Sequence, residues 1–143
     1  MTRVDFYVLS DEAPDAKLRV ACRLIEKAYD SGFRVYALTS SLAEAQHLDE
    51  LLWTFSDRTF IPHEVIEGAP PAHERVAVLI GMEAAPATHR QLLVNLSTAL
   101  PADIESFERI AEIVDVDPEP KRLSRERYKV YRERGFALES HDL

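Results

Sequence analysis

The first fifty residues alternate a short apolar run with an amphipathic helix twice over, and few folds accept that order. Residues Arg3 to Leu9 set Val4, Phe6 and Val8 against Asp5, Tyr7 and Leu9 at a period of two, a strand with both faces largely covered. From about Glu12 to Ser31, Leu18, Cys22, Ile25 and Tyr29 recur at i, i+4, i+7 and i+11, an amphipathic helix ended by Gly32. Phe33 to Leu38 is a second apolar strand. Ser41 and Glu44 then have the spacing of a capping box for a helix with Ala45, Leu48 and Leu52 inward. This β-α-β-α order is the beginning of a doubly wound α/β sheet.

The remaining elements are shorter. Val76 to Ile80 and Leu92 to Leu96 are continuous apolar runs of strand length, separated by a loop at Glu83 to Thr88. Ala102 to Phe107 fits one short helix, and Ile110 to Val116 has the β-branched content of a final strand. Trp53, Phe55, Phe60, Ile61 and Pro62 crowd together with polar Ser56, Asp57 and Arg58 between them, and Glu67 to His73 is a turn-rich connector. That aromatic cluster reads either as core packing under a loop or as an interface anchor. No repeat or long linker divides the chain, so residues 1–143 are expected to form one domain.

Charge is distributed unevenly. Between Lys121 and Arg134 stand seven cations and two carboxylates, so this segment carries +5 in a chain of formal charge −8. The segment reads as a helix: Asp117 can cap it, Pro118 suits its first position, and Gly135 sits where a left-handed residue ends one. Leu123 and Val130 fall within about 20° of each other and form the expected core stripe. Lys121, Arg125, Tyr128 and Arg132 share an arc of about 60° on the opposite side. Spacing alone leaves that arc open as a solvated helix face or as a binding site.

A search for catalytic chemistry comes back empty. The four glycines form neither GxGxxG nor a phosphate loop, and no GxSxG elbow exists. Histidines 47, 63, 73, 89 and 141 have no metal-ligand spacing, and His63 beside Glu64 reads as a loop residue with an ordinary hydrogen bond. Cys22 is the only cysteine, which excludes an intrachain disulfide or multi-thiolate zinc site, and it falls on the inward stripe of the first helix. No metal, cofactor or catalytic residue is expected. No apolar run approaches the roughly 20 residues of a membrane span, and the opening MTRVDFYVLS is strand-like, so a cytoplasmic location with no membrane partner is expected. The net −8 argues against direct DNA binding by the body of the protein.

At residues 48–53 (LDELLW), 59–64 (TFIPHE) and 125–136 (RERYKVYRERGF) the sequence closely resembles the chi subunit of bacterial DNA polymerase III holoenzyme. The strand VDFYVL, the turn SGFRV and the strand order fit the same family, so the resemblance spans nearly the whole chain. It implies a three-layer α/β/α sandwich around a mostly parallel central sheet. It also implies a non-catalytic clamp-loader accessory subunit in DNA replication. Two partners follow: a small subunit, psi, and the acidic, phenylalanine-ended C-terminal tail of single-stranded-DNA-binding protein.

By this resemblance the tail-binding residues are Lys121, Arg125 and Tyr128, with Arg132 beside them. The psi surface is Trp53 and Phe60 with Ile61 and Pro62, a surface that a helicase-like repair partner also uses in the family. The family commonly has a longer connection and an apolar residue before the proline of the last helix. Here Asp117 precedes Pro118, so an apolar wall of the tail pocket is either missing or supplied by Val116 or Val114. Two other readings remain: a small α/β hydrolase-like enzyme using His63 and nearby carboxylates, or a basic helix that binds single-stranded nucleic acid directly.

Overall fold

A computed structural model of the chain describes residues 2–10, 12–55, 60–67 and 76–143. Seven strands, β1 (Arg3–Val8), β2 (Val35–Leu38), β3 (His63–Val65), β4 (Val78–Gly81), β5 (Leu92–Asn95), β6 (Arg109–Val114) and β7 (Ala137–Asp142), make one sheet. Their spatial order is β3-β4-β2-β5-β6-β1-β7, and every neighbouring pair is parallel. Helices α1 (Ala16–Asp30) and α2 (Leu42–Phe55) cover one face, and α3 (Pro118–Glu133) covers part of the other. This is the expected α/β/α sandwich, with the sheet parallel throughout. Ser56, Asp57, Arg58, Thr59, His73 and most of the turn-rich connector lie outside the described residues.

Local chemistry sets the helix ends. Pro14 disfavours helical geometry at Ala13, and α1 starts at Ala16, later than its apolar spacing suggests. At its end Gly32 takes φ +81°, its N–H bonding Tyr29 O at 2.9 Å while Phe33 N–H bonds Ala28 O at 2.9 Å. That pair of bonds is a Schellman motif, and α3 ends the same way. There Gly135 (φ +79°) bonds Arg132 O at 3.0 Å and Phe136 bonds Tyr131 O at 3.1 Å, with the Phe136 and Tyr131 rings stacked. The capping box of α2 forms, with Glu44 N–H donating to Ser41 Oγ at 3.1 Å. Its return arm reaches one residue further back, to Ser40 N–H at 3.0 Å.

Two cores result. Under α1 and α2 lie Leu18, Ile25, Val35, Leu48, Val78, Val94 and Ile113, together with Cys22, whose thiol burial pushes up to about 12. A thiol so displaced is a small core side chain, inert as a nucleophile. Under α3 and the loops beside it lie Phe6, Tyr36, Leu79, Leu93, Phe107, Ile110 and Tyr131.

Four expectations need correcting. Asp117 occupies the position before α3 but makes no side-chain cap, so Pro118 carries that start. The run Ala102 to Phe107 holds only a 3-10 turn at Ile104–Ser106. Strand β7 was not anticipated, because ALESHD is mostly exposed on both faces and so lacks an apolar alternation. Finally, α3 is rolled relative to the expected stripe. Its buried residues are Ser124, Arg127 and Tyr131, while Leu123 and Val130 are only half-buried on one flank. At 100° per residue the inward line has turned by roughly 80°.

Candidate functional site: a groove beside the third helix

The roll of α3 puts Lys121, Arg125 and Tyr128 beside the sheet instead of directly away from it. Together with Ser124 they form one wall of a groove of about 260 Å³. Phe6 and Val8 of β1, Val114 of β6 and Ser140 of β7 supply the rest. Tyr128 tilts against Phe6 with ring centroids 5.4 Å apart, so the floor is aromatic and aliphatic while the rim carries two cations. Val114 supplies the apolar wall; Val116 packs with the core on the other face of the sheet. Arg132 is exposed one turn beyond Tyr128 and does not line the groove.

The seven cations of the segment divide into two sets. Arg122 binds Glu119 at 2.6 Å and Glu126 at 3.0 Å, Arg134 pairs with Glu105, and Arg127 is buried against Glu112 at 3.1 Å. Among the described residues no carboxylate comes within 4.0 Å of Lys121, Arg125, Lys129 or Arg132. Two of these four, Lys121 and Arg125, line the groove. A carboxylate arriving there finds donors not already committed within the fold.

Glu112 is the functional-scale feature that sequence reasoning missed. Its side chain is fully buried in β6 and accepts from Tyr131 Oη at 2.6 Å, Asn95 Nδ2 at 3.1 Å and Arg127 Nη2 at 3.1 Å. Arg127 Nη1 also donates to Thr98 O at 2.8 Å. Burial pushes the Glu112 carboxyl up, and Arg127, Tyr131 and Asn95 pull against that push. The signal is one acid inside the apolar run of residues 109–114 (RIAEIV), while a count of the seven cations in the segment does not set Arg127 apart from the rest.

The second candidate patch lies at the other end of the sheet. Trp53 is 56% exposed and Phe60 59%, with ring centroids 5.0 Å apart. His63 is packed beneath them, edge-on to Trp53 at 5.0 Å. It opens β3 and is not a loop residue. Its Nδ1 lies 2.6 Å from Ile61 O, and its Nε2 lies 3.1 Å from Asp49 O and 3.2 Å from Asp49 Oδ1. The ring thus fastens the start of β3 to α2. Pro62 is half-buried beside the pair. Ile61 is 1% exposed and belongs to the core, because its side chain points under α2 with the apolar set there. It presents no surface to a partner.

Asp5, Glu139 and His141 cluster across β1 and β7, with Asp5 buried and Glu139 exposed. Arg3 bridges the two acids at 3.2 and 2.5 Å, and His141 Nε2 lies 3.0 Å from Asp5 Oδ1. Burial pushes the Asp5 carboxyl up, but hydrogen bonds from His141 and Arg3 outweigh it and hold the group below its usual range. The carboxylates already have cationic partners, an arrangement of ion pairs and not of vacant ligands.

The family model and the sequence relatives agree on one family. A family model described as "DNA polymerase III chi subunit, HolC" matches residues 1–139. The chain is 41% identical over 143 residues to the DNA polymerase III subunit chi of Pseudomonas aeruginosa, covering 100% of this chain and 98% of that one. It is 28% identical over 142 residues to the subunit of the same name from Escherichia coli, covering 96% of each. Among solved structures it is similar to T4 UvsW (TM-score 0.66, 6% identity, 99% of this chain and 42% of that one). It is also similar to domain 2 of the DEAD-box helicase Mss116p (TM-score 0.61, 10% identity, 98% of this chain and 64% of that one). At such identities those two likenesses concern the fold alone. With a family model over almost its full length and a relative 41% identical end to end, the chain belongs to the DNA polymerase III chi subunit family.

Proposed function

We propose that this replication accessory subunit bridges the C-terminal tail of single-stranded-DNA-binding protein to the clamp loader through psi. The observation that carries the reading is the groove itself. Lys121 and Arg125, both unpaired among the described residues, stand over a floor of Phe6, Val8 and Val114 beside Tyr128. An acidic chain ending in phenylalanine has the matching parts: an aromatic ring for the floor, a terminal carboxylate for Arg125, and further acids for Lys121 and Arg132. Psi takes the Trp53–Phe60 patch with Pro62, since two large aromatic rings more than half exposed are a recognisable anchor. A helicase-like repair partner would compete for that same patch.

The other readings have less support. Both ring nitrogens of His63 are engaged by oxygen acceptors of the fold, which does not suit a general base. Direct binding of single-stranded DNA would have to overcome a net charge of −8. No helix among the described residues is long and apolar enough to cross a membrane, and a cytoplasmic site of action belongs with the proposed role.

The test is a titration with a synthetic acidic peptide ending in phenylalanine, beside the same peptide amidated at its C-terminus. Saturable binding that weakens on amidation supports the reading. Equal binding of both peptides, or tighter binding to naked single-stranded DNA than to the peptide, overturns it.

A further inference from the structure

The inward face of α3 is unusual in what it buries. Of its three buried residues, Ser124, Arg127 and Tyr131, two are polar groups fixed on one carboxylate. Arg127 and Tyr131 stand one turn apart and hold separate oxygens of Glu112, at 3.1 Å on Oε1 and 2.6 Å on Oε2. Asn95 donates to both oxygens at 3.1 Å, while its own Oδ1 accepts from Ser97 N–H and Ser97 Oγ–H. Arg127 extends the network to Thr98 O. The aliphatic residues of α3 that could seat it by packing, Leu123 and Val130, are only half-buried.

Apolar contacts of this kind tolerate a small rotation of the helix, but the ionic grip does not. Rolling α3 by one residue would move Arg127 and Tyr131 off Glu112 together and leave a buried carboxylate without two of its donors. Buried ion pairs are weak contributors to net stability against a well-packed apolar replacement, and their better-attested use is to fix register. The same roll decides where Lys121, Arg125 and Tyr128 stand.

We infer that Glu112 and Arg127 are positioning residues: their buried ion pair, with Tyr131, sets the roll of α3 and so holds the cations and Tyr128 over the groove. Neither residue needs to touch what binds there. Glu112 lies beneath the helix, and Arg127 faces the strand and the 97–99 segment. The consequence for binding rests on the tail-groove reading, whereas the consequence for helix roll does not.

The test replaces the charged grip by apolar side chains of similar volume, Glu112→Leu, Arg127→Met and Tyr131→Phe together. Two measurements are made on the whole chain. One is the magnetisation transfer between the Phe6 and Tyr128 rings, whose centroids are 5.4 Å apart and which would separate if the helix rolled. The other is affinity for the acidic peptide ending in phenylalanine. The expected result is a cooperatively folded variant in which the ring contact is weakened and affinity falls roughly tenfold or more, as a loosened supporting shell would cause. Should the triple variant not fold, Glu112→Gln, which keeps the volume but removes the charge and turns one acceptor oxygen into a donor facing Arg127 or Tyr131, is read by the same two measurements. A folded variant that keeps the full Phe6–Tyr128 contact overturns the inference. If the contact is lost while even the wild-type chain fails to bind the peptide, the positioning role stands and the tail reading falls.

Discussion

Arg125 and Arg127 stand two residues apart on α3, one exposed and unpaired among the described residues, the other buried against Glu112 at 3.1 Å. The exposed one is the better probe of binding, because removing it breaks no ion pair among the described residues. A charge-assisted hydrogen bond to a terminal carboxylate contributes roughly 1.5–3 kcal/mol, so Arg125→Ala is expected to weaken tail binding by about 10- to 150-fold. Arg125→Lys should recover only part, since an ammonium keeps the charge but loses the planar fork. Full peptide affinity in Arg125→Ala, measured by titration calorimetry, would remove that residue from the site. A second prediction concerns His89, buried with Thr88 Oγ at 2.7 Å from Nδ1 and Val76 O at 2.6 Å from Nε2. A carbonyl can only accept, so Nε2 carries the proton, and because burial disfavours the charged ring, Nδ1 is left to accept from the Thr88 hydroxyl. Burial lowers its proton affinity. Above the ordinary histidine value of about 6.5 the ring is neutral in both states and its full contribution is present. As the pH falls below that value the unfolded chain gains a proton that the folded one resists, and stability declines. The loss of urea midpoint between about pH 7 and about pH 5 should therefore be shallower in His89→Gln than in the wild type.

The elements differ in how local their instructions are. Both ends of α3 and the end of α1 were legible, because Pro118, Gly135 and Gly32 act through their own backbone geometry. The capping box of α2 was legible for the same reason. Ser41→Ala should cost about 0.5–2 kcal/mol, read as a lower melting temperature, with Ser41→Gly costing only a few tenths. Equal loss in both variants would mean that Ser41 acts by something other than its cap. The roll of α3 was not legible. Apolar periodicity weighed Leu123 and Val130, yet the deciding partner is an acid on β6, remote in sequence and concealed in an apolar run. That error displaced the inner stripe while leaving Lys121, Arg125 and Tyr128 together, since an arc on a helix survives rotation as a set. Ile61 failed differently. The family block 59–64 marked its neighbourhood, but a motif does not say which of its residues turns inward.

At the scale of the molecule the two candidate surfaces occupy opposite edges of the sheet, Trp53 and Phe60 near β3 and the groove near β7. Six strand spacings separate those edges, roughly 30 Å at the usual interstrand distance. A bridging protein needs such separation, so that one partner neither blocks nor strains the other. Distant sites without shared contacts behave independently, which gives the arrangement a strict test. Phe60→Ala should weaken co-purification with psi while leaving affinity for the acidic peptide within about twofold. Arg125→Ala should do the reverse, and the double variant should show both losses with no added coupling. Because Phe60 is 59% exposed, its truncation removes little core packing, and the melting temperature should stay near that of the wild type. Trp53 offers a check on the same patch: its fluorescence should change when psi binds and remain unchanged when only the peptide does. An unfolded Phe60→Ala would assign that ring to the core. A peptide affinity that falls along with psi binding would show that the two edges communicate, and the chain would then act as a switch between its partners instead of a passive bridge.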